Sequence, residues 1–412
     1  MTQILLKNCK ELLTIREDAE DLIGILYNES VLIEGERIKK VGKFEDITKD
    51  YPLEDVEIID CSNNVVLPGY VDSHTHLIFG KSRVHEFVEL FTKTPEEVKK
   101  TLDLVGLASS MDSTVNATDE ELYESSMLKL NRMLKSGTTT IEIKSGYGID
   151  KDTELRMLRV IKALTGEAKQ KIFATYLGAH YFDLEMGKEK YIDFMIEEVM
   201  PIIYEENLAQ FNDVWCDDGY YTAEESYKVL KAGIKYGMTP AMHTECYSAI
   251  GGAQVAAKLK AANAGHLNFV TKEDIELLRD AGVVGILLPG TDFSVNHPVP
   301  FDPRPMIDGG MEIAIATNLN PGNWVENMDI ALILACRNHK MTDKEAIRAA
   351  TLGGAKALRI DEECGSIEEG KLADIQIRNS DSYKNIVYKF GVDEMNCVIK
   401  SGEIVYKNDF YK

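Results

Sequence analysis

Between about residue 66 and residue 360 the chain alternates short apolar runs with longer amphipathic stretches, and this alternation restricts the fold more than any other feature. The apolar runs are Thr138–Ile143, Ile172–Leu177, Asp213–Cys216, Pro240–His243, Asn263–His266, Val283–Leu288 and Ile313–Thr317. Helical patterning lies between them, as in Glu120–Lys135, Lys151–Thr165, Ala223–Tyr236 and Lys272–Ala281. Strands alternating with helices indicate a parallel sheet with helical crossovers. Adding the run that precedes His74 makes eight strands, enough to close a (β/α)₈ TIM barrel of the usual ~250 residues. A doubly wound open sheet is the alternative. It is disfavoured because no G-x-G-x-x-G fingerprint or P-loop follows a strand.

The two ends of the chain differ from this middle. Residues 1–65 read as short strands and turns, with Ile4–Leu6, Val31–Ile33, Ile38–Val41 and Val56–Ile59 as candidates. Residues 361–412 have the same character, through Ile375–Ile377 and Val398–Tyr406. Chain termini often lie close together, so 1–65 plus 361–412 are expected to form one small β-rich domain beside a barrel of residues 66–360. The polar, mixed segment Gly80–Ala117 is expected to be an insertion or lid over the barrel mouth.

A net charge of −22 argues against nucleic acid or an anionic membrane as partner, since both require a basic face. No apolar run approaches the ~20 residues of a spanning helix, and the start lacks the basic and apolar segments of a secretory signal. Seven scattered cysteines with no C-x-x-C pair suit free thiols in a reducing cytoplasm.

Residues at the C-terminal ends of barrel strands surround the active site. His74, His76, Tyr147, His180, His243, His266 and Asn318 all fall at such ends, so five of the eight histidines collect there. His74 and His76 are two residues apart, and on a strand such residues face the same side. Three histidines with an open position suit a catalytic zinc or iron(II), which lowers the pKa of bound water to near ~7. Arg83 presents a planar fork suited to a carboxylate, and Tyr147 joins it as a candidate for binding an anionic substrate. His85, His297 and His339 sit in polar or helical contexts and read as structural.

The motifs Pro68-Gly69-Tyr70-Val71-Asp72-Ser73-His74-Thr75-His76 and Gly365-Ser366-Ile367-Glu368-Glu369-Gly370-Lys371-Leu372-Ala373-Asp374 resemble those of the amidohydrolase superfamily. Lys144-Ser145-Gly146-Tyr147-Gly148, Leu177-Gly178-Ala179-His180, Leu287-Leu288-Pro289-Gly290 and Asn320-Pro321-Gly322 narrow the resemblance to the imidazolonepropionase family within it. The likeness runs over nearly the whole chain. It implies a barrel bearing one divalent metal, zinc or iron, and hydrolytic opening of 4-imidazolone-5-propanoate to N-formimidoyl-L-glutamate in histidine degradation. It also implies metal ligation by His74, His76 and His243, substrate contacts from Arg83, Tyr147, His180, Asn320 and Gly322, and His266 as the active-site histidine. The partner expected is a small heterocyclic carboxylate, with a homodimer left open.

Three positions depart from the family pattern. Asn318 stands where the family has an aspartate that contacts the metal and activates water. Cys246 replaces the glutamate or glutamine that contacts the imidazolone ring, and Asn323 replaces a serine or threonine of the product loop. Asparagine can offer a metal an oxygen but cannot accept a proton near neutral pH. Cys246 is open to three readings: a bystander, a packing residue, or a thiolate ligand if its pKa is depressed. Glu245, two residues past His243, would face the site if the strand stayed regular, and is with His266 a candidate for the missing base. Three functions follow: a working ring-opening hydrolase, a relative with a changed cyclic amide or amidine substrate, or a ligand-binding protein that has lost turnover.

Overall fold

The computed structural model describes residues 3–52, 56–102 and 104–410. Its central sheet is the expected barrel. The strands are β1 (Tyr70–Asp72), β2 (Thr138–Lys144), β3 (Lys171–Ala179), β4 (Phe211–Cys216), β5 (Met242–Thr244), β6 (Asn263–His266), β7 (Val284–Leu287) and β8 (Ile313–Ile315). They lie in chain order, each parallel to the next. Every residue of β2 is buried, as expected for a strand covered on both faces by crossover helices.

The crossover helices begin where the sequence provides caps. Thr118, Thr222 and Thr271 each accept a hydrogen bond from the backbone N–H three residues on, and Glu121, Glu225 and Asp274 reach back to complete capping boxes. Each such cap contributes ~1 kcal/mol to the helix it opens.

Between β1 and β8 the barrel closes by a different device. Asn318 N–H donates to His74 O at 3.1 Å and His76 N–H donates to Leu319 O at 2.8 Å. Below them the buried Asp72 carboxylate accepts from Thr317 N–H at 3.1 Å and from the Thr317 hydroxyl at 2.6 Å. This seam therefore fixes the His74–His76 segment against Asn318.

Strands from both ends of the chain share a sheet. In a six-stranded sheet, Val65–Pro68 runs antiparallel to Ile375–Arg378 and parallel to Glu11–Leu13. A four-stranded sheet holds Gln3–Cys9, Glu29–Glu34, Arg37–Gly42 and Val56–Asp60. One apolar core packs between these sheets, through Ile4, Leu6, Val31, Ile375 and Ile399. The apolar run before His74 is thus split between the six-stranded sheet and the barrel. Its first half pairs outside the barrel, and β1 starts only after Gly69, where a Cβ would meet the Thr139 side chain at 2.3 Å.

The segment after the first histidines folds as three short helices, Val84–Glu89, Pro95–Thr101 and Gly106–Val115. Gly106, Leu107 and Ser110 form part of the cavity wall at the barrel mouth. No helix among the described residues is long and apolar enough to cross a membrane, and all seven cysteines are free thiols.

Candidate active site

Four imidazoles converge at the C-terminal ends of β1, β5 and β6. Ligand atoms of His74, His243 and His266 lie within 4.8 Å of one another. The fourth ring is His76, whose Nε2 is 3.1 Å from Nε2 of His243. All four are buried, and burial holds the pKa of each below the ordinary histidine value. Neutral imidazoles in this arrangement offer lone pairs to a cation. Both ring nitrogens of His74, Nδ1 of His76 and Oδ1 of Asn318 are buried with no hydrogen-bond partner, a costly state unless something else satisfies them. Nitrogen and oxygen donors of this kind fit a divalent metal ion.

Beneath the imidazoles lies a charged layer that the sequence reading missed. Asp213 accepts from His243 N–H at 3.0 Å through Oδ1, and its Oδ2 is 3.0 Å from His243 Nδ1. The buried Lys144 ammonium bridges Asp213 at 3.0 Å and Glu142 at 2.9 Å. Glu142 in turn accepts from Thr75 N–H at 3.0 Å, between His74 and His76. Burial opposes both charges of the Lys144–Asp213 pair. The opposing attractions outweigh it: His243 and Lys144 hold Asp213 well below the carboxylate range, and Glu142 with Asp213 holds Lys144 above the usual lysine value. A carboxylate behind a metal histidine fixes its tautomer and raises its basicity. The signal was present in the sequence as charges at alternate positions of apolar strands, Glu142 with Lys144 and Asp213 two residues before Trp215.

A cavity of about 290 Å³ opens above the histidines. Its wall includes Arg83, Tyr147, His180, Cys246, Asn320 and Asn323. Glu154 holds the turn carrying Tyr147 by accepting from Gly146 N–H at 3.0 Å and Gly148 N–H at 2.8 Å. His180 Nδ1 lies 3.0 Å from Gly146 O. Burial presses the His180 pKa down to about 3, so the ring is neutral, with Nδ1 donating and Nε2 left as an acceptor.

Arg83 and the Asn320–Asn323 loop are brought together from distant parts of the chain. Arg83 N–H donates to Pro321 O at 3.1 Å. Gly322 admits the guanidinium, since a Cβ there would sit 1.7 Å from Arg83 Nη2. The loop asparagines are occupied with one another. Asn320 Oδ1 accepts from Gly322 N–H at 2.8 Å and Asn323 N–H at 3.0 Å, while its Nδ2 donates to Asn318 O at 2.8 Å. Asn323 Nδ2 donates to Thr317 O at 2.9 Å and Asn318 O at 3.0 Å. Asn318 Nδ2 donates to the Thr291 hydroxyl at 2.8 Å, which leaves its buried Oδ1 without a partner.

One expectation is corrected by this geometry, and the readings of Cys246 are narrowed. Glu245 does not face the cavity. Strand β5 ends at Thr244, and Glu245 has φ 54°, which breaks the alternation on which its placement rested. Its Oε1 instead accepts from Ala253 N–H at 3.1 Å, in the first turn of helix Gly252–Leu259. Cys246 lines the cavity, but burial pushes its thiol pKa upward. The upward shift leaves a neutral thiol and disfavours the thiolate-ligand reading. His297 and His339 serve packing: each Nδ1 meets a backbone carbonyl, Val299 O at 2.7 Å and Phe301 O at 3.0 Å.

Fold and site together define a metal-dependent hydrolase barrel. The chain belongs to the amidohydrolase family, whose model matches residues 65–405. It is 39% identical to the imidazolonepropionase of Clostridium tetani over 420 aligned residues, covering 99% of each chain. It is 36% identical to the imidazolonepropionase of Geobacillus kaustophilus over 397 residues, covering 95% of this chain and 93% of that one. A triazine hydrolase variant has the same fold, with TM-score 0.73 at 17% identity over 99% of this chain and 95% of the other. The protein is an enzyme of the hydrolase class.

Proposed function

We propose that this protein opens the ring of 4-imidazolone-5-propanoate by hydrolysis of its cyclic amide, giving N-formimidoyl-L-glutamate in cytoplasmic histidine degradation. The observation that carries the reading is the convergence of four buried neutral imidazoles under a cavity whose wall carries Arg83. His74, His76 and His243 would hold one zinc or iron ion, with Asn318 Oδ1 as a weak neutral donor. A divalent ion held there supplies Lewis-acid polarisation and activation of water.

The remaining steps fall to side chains of this chain. Arg83 pairs with the propanoate carboxylate, with a geometry only a guanidinium provides. Tyr147 and His180 line the same cavity, where they would flank the heterocycle. Asn318 cannot take a proton, and Glu245 is turned away. His266, held neutral by burial beside His74 and His243, is the acceptor left within reach. It takes the proton released as water adds and returns it to the departing ring nitrogen. Asn320 and Asn323 keep the Gly322 turn in shape and thereby keep Arg83 in place.

The test is a turnover assay with zinc- or iron-loaded protein and 4-imidazolone-5-propanoate. Formation of N-formimidoyl-L-glutamate, abolished by chelation and restored by metal, supports the reading. Stoichiometric metal binding without product would overturn it.

A further inference from the structure

The residue expected to read the heterocycle is missing, since Cys246 stands in its place. Burial keeps the thiol neutral, which leaves a weak donor and weak acceptor. The backbone beside it is also spent: the N–H groups of Cys246 and Tyr247 both donate to Asp217 Oδ2, at 3.2 Å and 2.8 Å. Another group on this wall must therefore meet the polar edge of the ring.

Two tyrosines flank Cys246 in the cavity wall, Tyr220 and Tyr247. Tyr247 is 47% exposed, and its ring stacks on His297 at 4.9 Å. Tyr220 is placed differently. Its ring lies flat on Trp215, with centroids 3.6 Å apart and planes 19° apart. Trp215 leans on His180 at 5.4 Å, and His180 stacks on His76 at 5.0 Å. One wall of the cavity is thus a continuous series of rings from Tyr220 to a histidine of the cluster. Flat apolar faces of this kind suit a planar heterocycle.

Asp217 sets Tyr220 and Cys246 in fixed relation. Its carboxylate holds the Cys246 turn, and its backbone oxygen accepts from Tyr220 N–H at 3.0 Å. Tyr220 lines the cavity and is half-buried, whereas the indole nitrogen of Trp215 is buried without a hydrogen-bond partner.

We infer that Tyr220 is a specificity-determining residue, whose hydroxyl bonds the polar edge of the bound ring where Cys246 cannot, with Trp215 as its platform. The inference rests on the proposed function for the ligand class: a planar nitrogen heterocycle bearing a short carboxylate.

Two inert probes separate the contributions, imidazole-4-propanoate and 3-(thiophen-3-yl)propanoate. They share the carboxylate and a flat five-membered ring, but only the first has ring nitrogens. Calorimetry on the metal-loaded protein should show that Tyr220→Phe weakens the imidazole probe by about 3- to 10-fold, the range for one hydrogen bond. The thiophene probe should be unaffected, because phenylalanine keeps the stack. Trp215→Leu should weaken both. Binding should also change Trp215 fluorescence, a signal lost in Trp215→Phe and kept in Trp324→Phe. Unchanged imidazole-4-propanoate affinity in Tyr220→Phe would overturn the inference and leave the proposed function standing, as would a loss seen only in Tyr247→Phe. Failure of the unmodified protein to bind either probe would instead overturn the ligand class on which both rest.

Discussion

Replacing Lys129 by methionine should make the protein more stable at neutral pH. Lys129 lies in helix Asp119–Lys135 with its side chain 1% exposed, and its Nζ has no hydrogen-bond partner. The ammonium sits 3.6 Å from the centre of the Phe79 ring and 5.6 Å from that of Trp324. Burial lowers its pKa from 10.5 to about 7, against a partial pull upward from Glu326. At 1.36 kcal/mol for each tenfold, holding the charge in the folded state costs about 4–5 kcal/mol below pH 7. The cation–π contact offsets that in part, being worth ~2 kcal/mol when desolvated. Methionine fills a similar volume without charge, so Lys129→Met should gain about 2–3 kcal/mol at pH 6–7. The sign of the pH dependence follows from the depressed folded-state value. Between about pH 7 and 10.5 the unfolded chain binds the proton that the folded chain has released, so wild-type stability rises with pH across that window. The advantage of methionine should therefore shrink as pH climbs from 7 and vanish near 10.5. Urea unfolding of both proteins at pH 6, 7, 8.5 and 10 measures it. A gain that is the same at pH 6 and pH 10, or a loss at pH 6, would refute the account of Lys129 as a buried charge.

Asn318→Asp should raise turnover of 4-imidazolone-5-propanoate, by up to the ~10²- to 10⁴-fold that a placed base supplies, and should also tighten metal binding; steady-state kinetics with a chelator-competition titration checks both. Arg83→Ala should weaken imidazole-4-propanoate by ~1.5–3 kcal/mol, the range for a hydrogen bond to a charged group, measured by calorimetry. Gly322→Val should produce a similar loss with Arg83 intact, because the added atoms occupy the guanidinium position; the same titration reports it. Asp213→Asn should lower metal affinity by ~10- to 100-fold, the usual effect of losing a carboxylate behind a metal histidine, read by competition with a chromophoric chelator.

The barrel was legible because its strands are short, apolar and bounded by turns, and the structure places β2 to β8 within the runs read from sequence, or a few residues beyond them. The histidines at strand ends were legible for the same reason: once a strand is located, the position of its end follows. The seam between β1 and β8 was not. It depends on Asp72 and Thr317, 245 residues apart, and neither residue type advertises a contact across that distance. Glu245 was misread because a single positive φ after β5 turns its side chain to the helix that follows. Asn320 and Asn323 were read as groups offered to a ligand. Most of their polar atoms close their own loop, which local spacing cannot distinguish from outward display. The Glu142–Lys144–Asp213 layer is hard to read from sequence because charged residues ordinarily mark a solvated face, whereas here one ammonium pairs with two carboxylates inside the barrel.

The most direct test of the central claim is one measurement: the rate of N-formimidoyl-L-glutamate formation from 4-imidazolone-5-propanoate by protein carrying one equivalent of zinc or iron. The account predicts turnover that disappears with metal removal, returns on reloading, and is lost when His74 and His76 are both replaced by alanine. Metal-loaded protein that binds imidazole-4-propanoate yet forms no product would contradict it, as would full turnover in the His74→Ala/His76→Ala variant.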